Sequence, residues 1–265
     1  MKPFAAAFTA LMICCTSALA DVPPLAVDAN IVFLGEVHDN PNHHETQADW
    51  IAALQPAALV FEMIAPDVAS GLSAADQADS ETLGKALGWA GSGWPDFAMY
   101  APLFSSAPNA RIYGAAVPRS MARQILSDGL SVAMTLEDRQ RFGLERDLPA
   151  AQQAAREAHQ MAAHCDALPE DLMPGMVLIQ RVRDAWLAQQ ALAALQDTGG
   201  PVVVITGNGH ARRDWGAPAA IAQADTTVAV YALGQSEDGA AQSGAFDHVV
   251  DAPAAERPDP CAAFK

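Results

Sequence analysis

The chain has 265 residues, 31 of them acidic against 15 basic, for a formal net charge of -16. Such an acidic surface repels phosphate backbones and anionic lipid, which argues against nucleic acid and against membrane surfaces as partners. Hydrophobic residues make up 51% of the chain, enough for one α/β domain with an insertion to build a real core.

Residues 1–20 stand apart. Lys2 is their sole charge, residues 4–15 are apolar, and Ala18-Leu19-Ala20 has the small-x-small form of a cleavage site. A cleaved signal peptide is expected, with the mature chain starting at Asp21 in a periplasmic compartment. The apolar run is shorter than the ~20 residues that span a bilayer. Ile13 precedes Cys14 and Cys14 precedes Cys15, so neither cysteine has the small residue expected before a lipidation site, and a lipid anchor is not expected. After cleavage Cys165 and Cys261 remain of four cysteines. In an oxidising compartment an even pair reads as a disulfide, and it would tie down a tail with little apolar content of its own.

Residues 31–34 (Ile-Val-Phe-Leu) form a short apolar run that stops at Gly35 and hands over to Glu36, His38, Asp39, Asn40, His43 and His44. That is a buried strand ending in a polar loop. A helix is expected over 43–54, with Trp50, Ile51 and Leu54 on its apolar face and Pro56 ending it. Residues 57–61 are the next strand and lead into Glu62. Residues 67–87 read as one or two short helices, and 88–104, dense in glycine, proline and aromatics, as an ordered irregular segment. A strand over 110–117 leads to Pro118 and Arg119. Residues 120–196 carry no strand signal and read as three or four helices, the last placing Gln180 and Asp184 on one face with Val177, Leu187 and Ala191. Residues 201–206 are again an apolar strand, followed by Gly207, Asn208, Gly209 and His210. A short helix over 219–224, a strand over 227–233 and a turn-rich tail with an edge strand over 246–250 complete the chain. The alternation predicts an α/β fold with a mostly parallel central sheet, flanking helices and a helical insertion at about 120–196.

Two strands therefore end in Gly-x-x-His, and glycine at a strand end lets another group approach the backbone. In a parallel sheet all such ends lie on one side, where open α/β folds bind their ligands. Glu36 with His38, Glu62, Arg119 and His210 follow four separate strands and are predicted to surround one cavity, with Gln180 and Asp184 orienting a histidine or arginine. Each alone is commonly a solvated loop group; their convergence suggests a site. His38 and His210 with carboxylates suit either a divalent metal or general acid/base work beside an anion-binding arginine. His43 and His44 are expected in an exposed helical turn, His159 and His164 as ordinary helix residues and His248 at the surface. Tyr113 is expected to pack within its strand, whereas Tyr100 could offer its phenol to a ligand.

GEVHDNPNHHETQ, FEM, SGWPDFAMYAPLF, AAVPR, AHCDALP, QRVRDAWLA, TGNGHARRDWGAP and RPDPCAAF, in that order, resemble the haem-binding ChaN-like family of the Tiki superfamily. The resemblance covers nearly the whole mature chain. It implies an α/β fold with a helical insertion, secretion, and a role in haem or iron uptake with an outer-membrane haem receptor system as partner. It also implies a homodimer that sandwiches haem. Relatives in the wider superfamily are hydrolases, some of them metalloproteases, and carrying their motif over marks His38, Glu62, Arg119 and His210. Many family members look like lipoproteins; this leader departs from that pattern.

Two functions follow as expectations. In the first, haem is held non-covalently, since no Cys-x-x-Cys-His occurs. Tyr100, His38 or His210 would ligate iron, and Arg119, or Arg212 with Arg213, would pair the propionates. In the second, a hydrolase, with or without a divalent metal on His38 and His210, uses those histidines with Glu36 and Glu62. Fold alone does not separate the two.

Overall fold

The computed structural model describes residues 22–259 and 261–262, so the leader expected over 1–20 lies outside the described residues. Strands β1 (Ile31–Glu36), β2 (Ala58–Phe61), β3 (Arg111–Gly114), β4 (Val202–Gly207), β5 (Val230–Glu237) and β6 (His248–Ala252) make one six-stranded sheet. Its order is β3-β2-β4-β1-β5-β6, and every pairing is parallel. All residues of β1, β2 and β4 are buried, as strands covered by helices on both faces must be.

Successive side chains alternate between two cores. Phe33, Val60 and Val204 enter one, and Leu34, Phe61 and Ile205 the other. Helices α1 (Pro41–Leu54) and α2 (Phe97–Ser106) seal the second core with Trp50, Ile51, Tyr100 and Leu103. The insertion holds α3 (Arg119–Asp128), α4 (Ala150–Ala163) and α5 (Met173–Thr198), separated by shorter turns of helix. Val182, Ala185, Leu187 and Ala188 of α5 seal the first core, joined by Ile221 of a later helix. After β4 come α6 (Asn208–Ala211) and α7 (Ala217–Ala224). The chain runs outward from β1 to β2 and β3, returns through the insertion to place β4 between β1 and β2, and then continues to β5 beyond β1. That reversal opens a crevice at the carboxyl ends of β1, β2 and β4.

Local chemistry fixes the element ends. The Asn40 side chain accepts the Asn42 N–H (2.9 Å) and Pro41 opens α1, which therefore starts earlier than the pattern suggested. Gln55, in the left-handed region (φ 45°), ends it. Residues 97–104, part of the segment expected to be irregular, lie in α2, which is capped by Asp96 through the Ala98 N–H (2.9 Å) and contains Pro102. Their all-round apolar content hid the helical period, because this helix is buried. Three short helices, Pro66–Ser70, Ala74–Gln77 and Ser80–Ala86, occupy the segment expected to hold one or two. Residues 234–237, assigned from sequence to a tail, extend β5; buried Gln235 donates to the Gly35 carbonyl (2.7 Å) and so belongs to the sheet interior.

Cys165, just past α4, is disulfide-bonded to Cys261. Upstream of the bridge Arg257 donates to Asp39 (2.8 Å) and to Glu237 (2.7 and 2.6 Å), which draws the tail across the loop that carries His38. Among the described residues no helix is long and apolar enough to cross a membrane.

Candidate functional site

The two Gly-x-x-His motifs interdigitate at the ends of β1 and β4, which pair in parallel register with Glu36 opposite Gly207. A Cβ on Gly207 would lie 2.9 Å from His38 Nε2, so the bare glycine is what lets the first histidine lean over the second strand. Reciprocally, a Cβ on Gly35 would lie 2.5 Å from Asn208 Oδ1 and 2.8 Å from the Leu233 carbonyl. Each motif's glycine makes room for the other motif.

Glu36, its side chain fully buried, organises the His38 side. Its Oε1 lies 2.7 Å from His38 Nδ1 and accepts from the Tyr100 hydroxyl (2.8 Å), while Oε2 accepts from Gln47 Nε2 (2.8 Å). The His38 carbonyl is held by His44 Nε2 (2.9 Å) and the Tyr100 hydroxyl (3.2 Å). The His38 side chain keeps 32% exposure, and its ring meets the edge of Trp94 at 4.8 Å between centroids. Burial pulls its pKa down, but the Glu36 carboxylate outweighs it and the net shift is upward.

On the His210 side, Glu62 Oε2 accepts from the Thr206 hydroxyl (2.6 Å) and the Gly207 N–H (2.9 Å). Glu62 Oε1 stands 3.6 Å from His210 Nε2, and His210 Nδ1 lies 2.6 Å from Asp184 Oδ1 on α5. Burial alone would raise the Glu62 carboxyl; the His210 and His38 imidazoles and its two donors together hold it at about 2. Burial would lower His210, yet Glu62 and Asp184 raise it to about 9, so the ring is an imidazolium at neutral pH. Asp184 is pushed upward by burial against the pull of that imidazolium. A buried carboxylate thus stands between two imidazoles, each oriented from its far nitrogen by a second carboxylate.

Above these groups opens a cleft of about 660 Å³. Glu62 and His210 form part of its floor; Ile64, Val68, Leu87, Trp89, Trp94 and Leu187 supply apolar wall; and Arg119 and Arg183 supply charge. Glu62, Arg119 and His210 therefore share one cavity, with His38 beside it against Trp94, while Glu36 sits behind His38 and reaches no open space. Asp184 and Gln180 line a smaller cavity next to His210 instead of the main cleft. Asp184 nevertheless orients the histidine, as a carboxylate one helix away can.

Several sequence expectations are corrected. Tyr100 is wholly buried in α2 with its phenol bound to Glu36, and burial pushes its pKa upward, so it is not presented to a ligand. Arg212 is spent on Asp214 (2.7 and 2.6 Å), and Arg213 on Asp247 and the Val230 carbonyl (both 2.6 Å); neither lines the cleft. His43 and His44 are buried, not exposed: His43 Nδ1 accepts the Val37 N–H (2.9 Å), and burial lowers its pKa. His159 faces Trp215 in the smaller cavity. Tyr113, in contrast, packs against the core from its strand as expected, with its hydroxyl donating to Asp197 (3.1 Å). Among the described residues no group of three or more His, Cys, Asp or Glu has the placement to hold a metal ion, which leaves a metal on His38 and His210 without geometric support.

Arg183 and Trp94 were not singled out from sequence. Arg183 adjoins Asp184 on a helix whose neighbouring faces serve different cavities, so a face count that stopped at Gln180 and Asp184 passed it by. Thr206, the residue before the second Gly-x-x-His motif, was equally silent because its hydroxyl acts across strands.

Known proteins resemble this chain in sequence and in shape. The family model described as haem-binding uptake, Tiki superfamily, ChaN matches residues 25–221. A solved structure described as cofacial haem binding to ChaN of Campylobacter jejuni superposes at a TM-score of 0.64 and 19% identity, covering 83% of this chain and 86% of that one. The type III effector HopBA1 is similar more distantly, at a TM-score of 0.42 and 14% identity over 86% of this chain and 89% of that one. No curated protein matches the chain.

Proposed function

The chain belongs to the haem-binding uptake family of ChaN in the Tiki superfamily, and on that premise we propose that it binds haem non-covalently in the cleft at the carboxyl ends of β1 to β4. The observation that carries this reading is the cleft itself. Its volume of about 660 Å³ falls within the ~300–1,000 Å³ typical of sites for small molecules and cofactors. Trp89 and Trp94 offer aromatic surface for a porphyrin, and Arg119 and Arg183 offer bidentate partners for its propionates. Of the two imidazoles, His38 keeps the more exposed side chain, 32% against 13% for His210, so His38 is the nitrogen that would meet the iron. Haem is cargo in this reading, and the protein serves haem or iron uptake as a secreted periplasmic component that passes it to or from an outer-membrane haem receptor. Two copies of the chain enclosing haem between them belong to the same proposal.

Hemin titration followed by the Soret band tests it. Wild-type protein should show a saturable shift. His38→Ala should change the band position, Tyr100→Phe should leave the band in place, and Arg119→Ala or Arg183→Ala should weaken binding by roughly tenfold each, the worth of one charge-assisted pair. Gel filtration with and without hemin reports the dimer. A Soret response that never saturates, or that is identical in all four variants, would remove the reading.

One observation favours a second reading, a hydrolase. A haem slot has no need of a carboxylate between two imidazoles that are themselves oriented by Glu36 and Asp184, whereas general acid/base chemistry does. Glu62 and His38 would then move protons at the bound substrate, with His210 as the acid and Arg119 binding an anionic group. An esterase and peptidase panel, with metal analysis of the purified protein, addresses this; turnover lost in both Glu62→Gln and His38→Ala supports it, and no turnover by wild type on any substrate refutes it.

A further inference from the structure

The segment after β6 enters neither core, yet it reaches the site. Residues 253–258 belong to no helix or strand and are largely exposed. Because β6 runs parallel to the rest of the sheet, its carboxyl end lies on the same side as the two Gly-x-x-His motifs. From there the chain returns across the end of β5 to the loop after β1, and what it delivers is polar. The Pro253 carbonyl accepts from Asn40 Nδ2 (2.9 Å) and Asn42 Nδ2 (3.3 Å). Arg257 donates from Nε to Asp39 (2.8 Å) and from Nη1 and Nη2 to the two carboxylate oxygens of Glu237 at the end of β5 (2.7 and 2.6 Å). Asn40 Nδ2 also donates to Glu237 Oε1 (2.6 Å), which closes the circuit. Asp39 and Asn40 are the two residues that directly follow His38. A short way beyond Arg257, the Cys165–Cys261 bridge anchors the tail to the insertion.

The His38 ring needs such a brace. Glu36 holds its Nδ1, but Nε2 stands over Gly207, where even a Cβ would lie 2.9 Å away, and Trp94 meets only its edge. The place of the ring over the glycine is therefore set by the backbone of the loop after β1. From inside, His43 Nδ1 accepts the Val37 N–H, and His44 and Tyr100 hold the His38 carbonyl. From outside, the loop has the tail. An isolated ion pair at the surface would add little. Arg257 differs because its planar fork joins two carboxylates from different elements with three donors, and its side chain is only 28% exposed. Its bonds, with that of Asn40, hold the Glu237 carboxyl at about 2. We propose that Arg257 is a positioning residue of the site: by bridging Asp39 to Glu237 it fixes the loop that sets the His38 ring over Gly207 and against Trp94, and so pre-organises the imidazole for its ligand. The consequence for hemin rests on the haem-binding reading; the effect on the ring does not.

The ring current of Trp94, 4.8 Å from the imidazole centroid, reports where the His38 ring stands in hemin-free protein. Proton NMR of the full chain should show the His38 Cε1–H signal displaced in Arg257→Gln while the His210 signals stay in place. Arg257→Lys keeps the charge but cannot span both carboxylates, so it should show the same displacement; a wild-type His38 signal in that variant would mean that charge alone suffices and would overturn the bridge. Arg213→Gln breaks another ion pair, that with Asp247, away from the cleft and should leave His38 unmoved; an equal displacement there would make the response a general one and overturn the proposal. If Arg257→Gln does not fold, Asp39→Ala removes the Nε bond alone and should move the His38 signal in the same direction. Hemin affinity in Arg257→Gln should fall roughly three- to tenfold, the cost of lost pre-organisation. An unmoved His38 signal overturns the proposal whatever hemin does, and a displaced ring with undiminished hemin affinity overturns the pre-organising role. Failure of the wild-type protein to bind hemin would remove the haem-binding reading and leave the NMR result to decide the brace.

Discussion

The two Gly-x-x-His motifs are alike in sequence and differ in how the fold holds them. His38 is oriented by Glu36, two residues away on the same strand end, and keeps about a third of its side chain exposed. His210 is oriented by Asp184, which comes from the insertion, and its side chain keeps only 13% exposure. The first histidine is built locally and left partly exposed; the second is built by tertiary contact and enclosed between Glu62 and Asp184. Duplicated motifs can thus be held in different ways, one copy oriented from its own strand end and left partly exposed, the other oriented from the insertion and enclosed.

The largest effect that breaks this comparison should come from the His38 side. Glu36→Ala removes the common partner of His38, Tyr100 and Gln47 and leaves the buried hydroxyl only its longer contact with the His38 carbonyl and the buried amide only the Leu34 carbonyl, a loss of about 4 kcal/mol. Urea unfolding monitored by circular dichroism measures it, and a loss below ~1 kcal/mol would show that the network is redundant.

Asp184→Asn should cost less, about 3 kcal/mol, and should bring the His210 pKa down from about 9 while leaving that of His38 in place. Imidazole titration by NMR separates the two rings. The sign of the pH dependence follows from the same shift. A pKa raised from 6.5 to about 9 gives His210 a contribution that is complete below 6.5 and is lost as pH rises through about 9. Glu62, lowered from 4.5 to about 2, contributes fully above 4.5 and loses its contribution as pH falls through about 2. Wild-type stability should therefore fall between pH 6.5 and 9, and Asp184→Asn should flatten that fall; equal slopes would contradict the assignment.

The smallest effects concern the two glycines, and they sharpen the comparison. Gly35→Ala drives a Cβ toward the Leu233 carbonyl as well as Asn208, and a strand cannot yield easily, so about 2 kcal/mol is expected. Gly207→Ala meets chiefly the far end of the His38 side chain, which can swing away, so about 1 kcal/mol is expected, with a larger effect on hemin binding than on stability. Thermal melts beside hemin titrations of both variants check the inversion.

What the sequence determined by itself was whatever depends on neighbouring residues. The unbroken apolar runs Ile31 to Leu34 and Val202 to Ile205 require strands buried on both faces, hence a parallel sheet, and the residues just past their ends had to emerge on one side of it. Glu36, His38, Glu62, Arg119 and His210 were legible as candidates for that reason, and the pairing of Cys165 with Cys261 followed from there being no other cysteine beyond the leader expected over residues 1–20. What only the tertiary structure decided was direction and distance. Period alone could not say that Tyr100 turns inward to Glu36, that Arg183 reaches the cleft while Arg212 and Arg213 bind Asp214 and Asp247, or that His43 and His44 are buried. Each of those outcomes depends on which partner a helix meets across the sheet, and a charged or aromatic side chain settles where its hydrogen-bonding groups find that partner, not where its place in the sequence points.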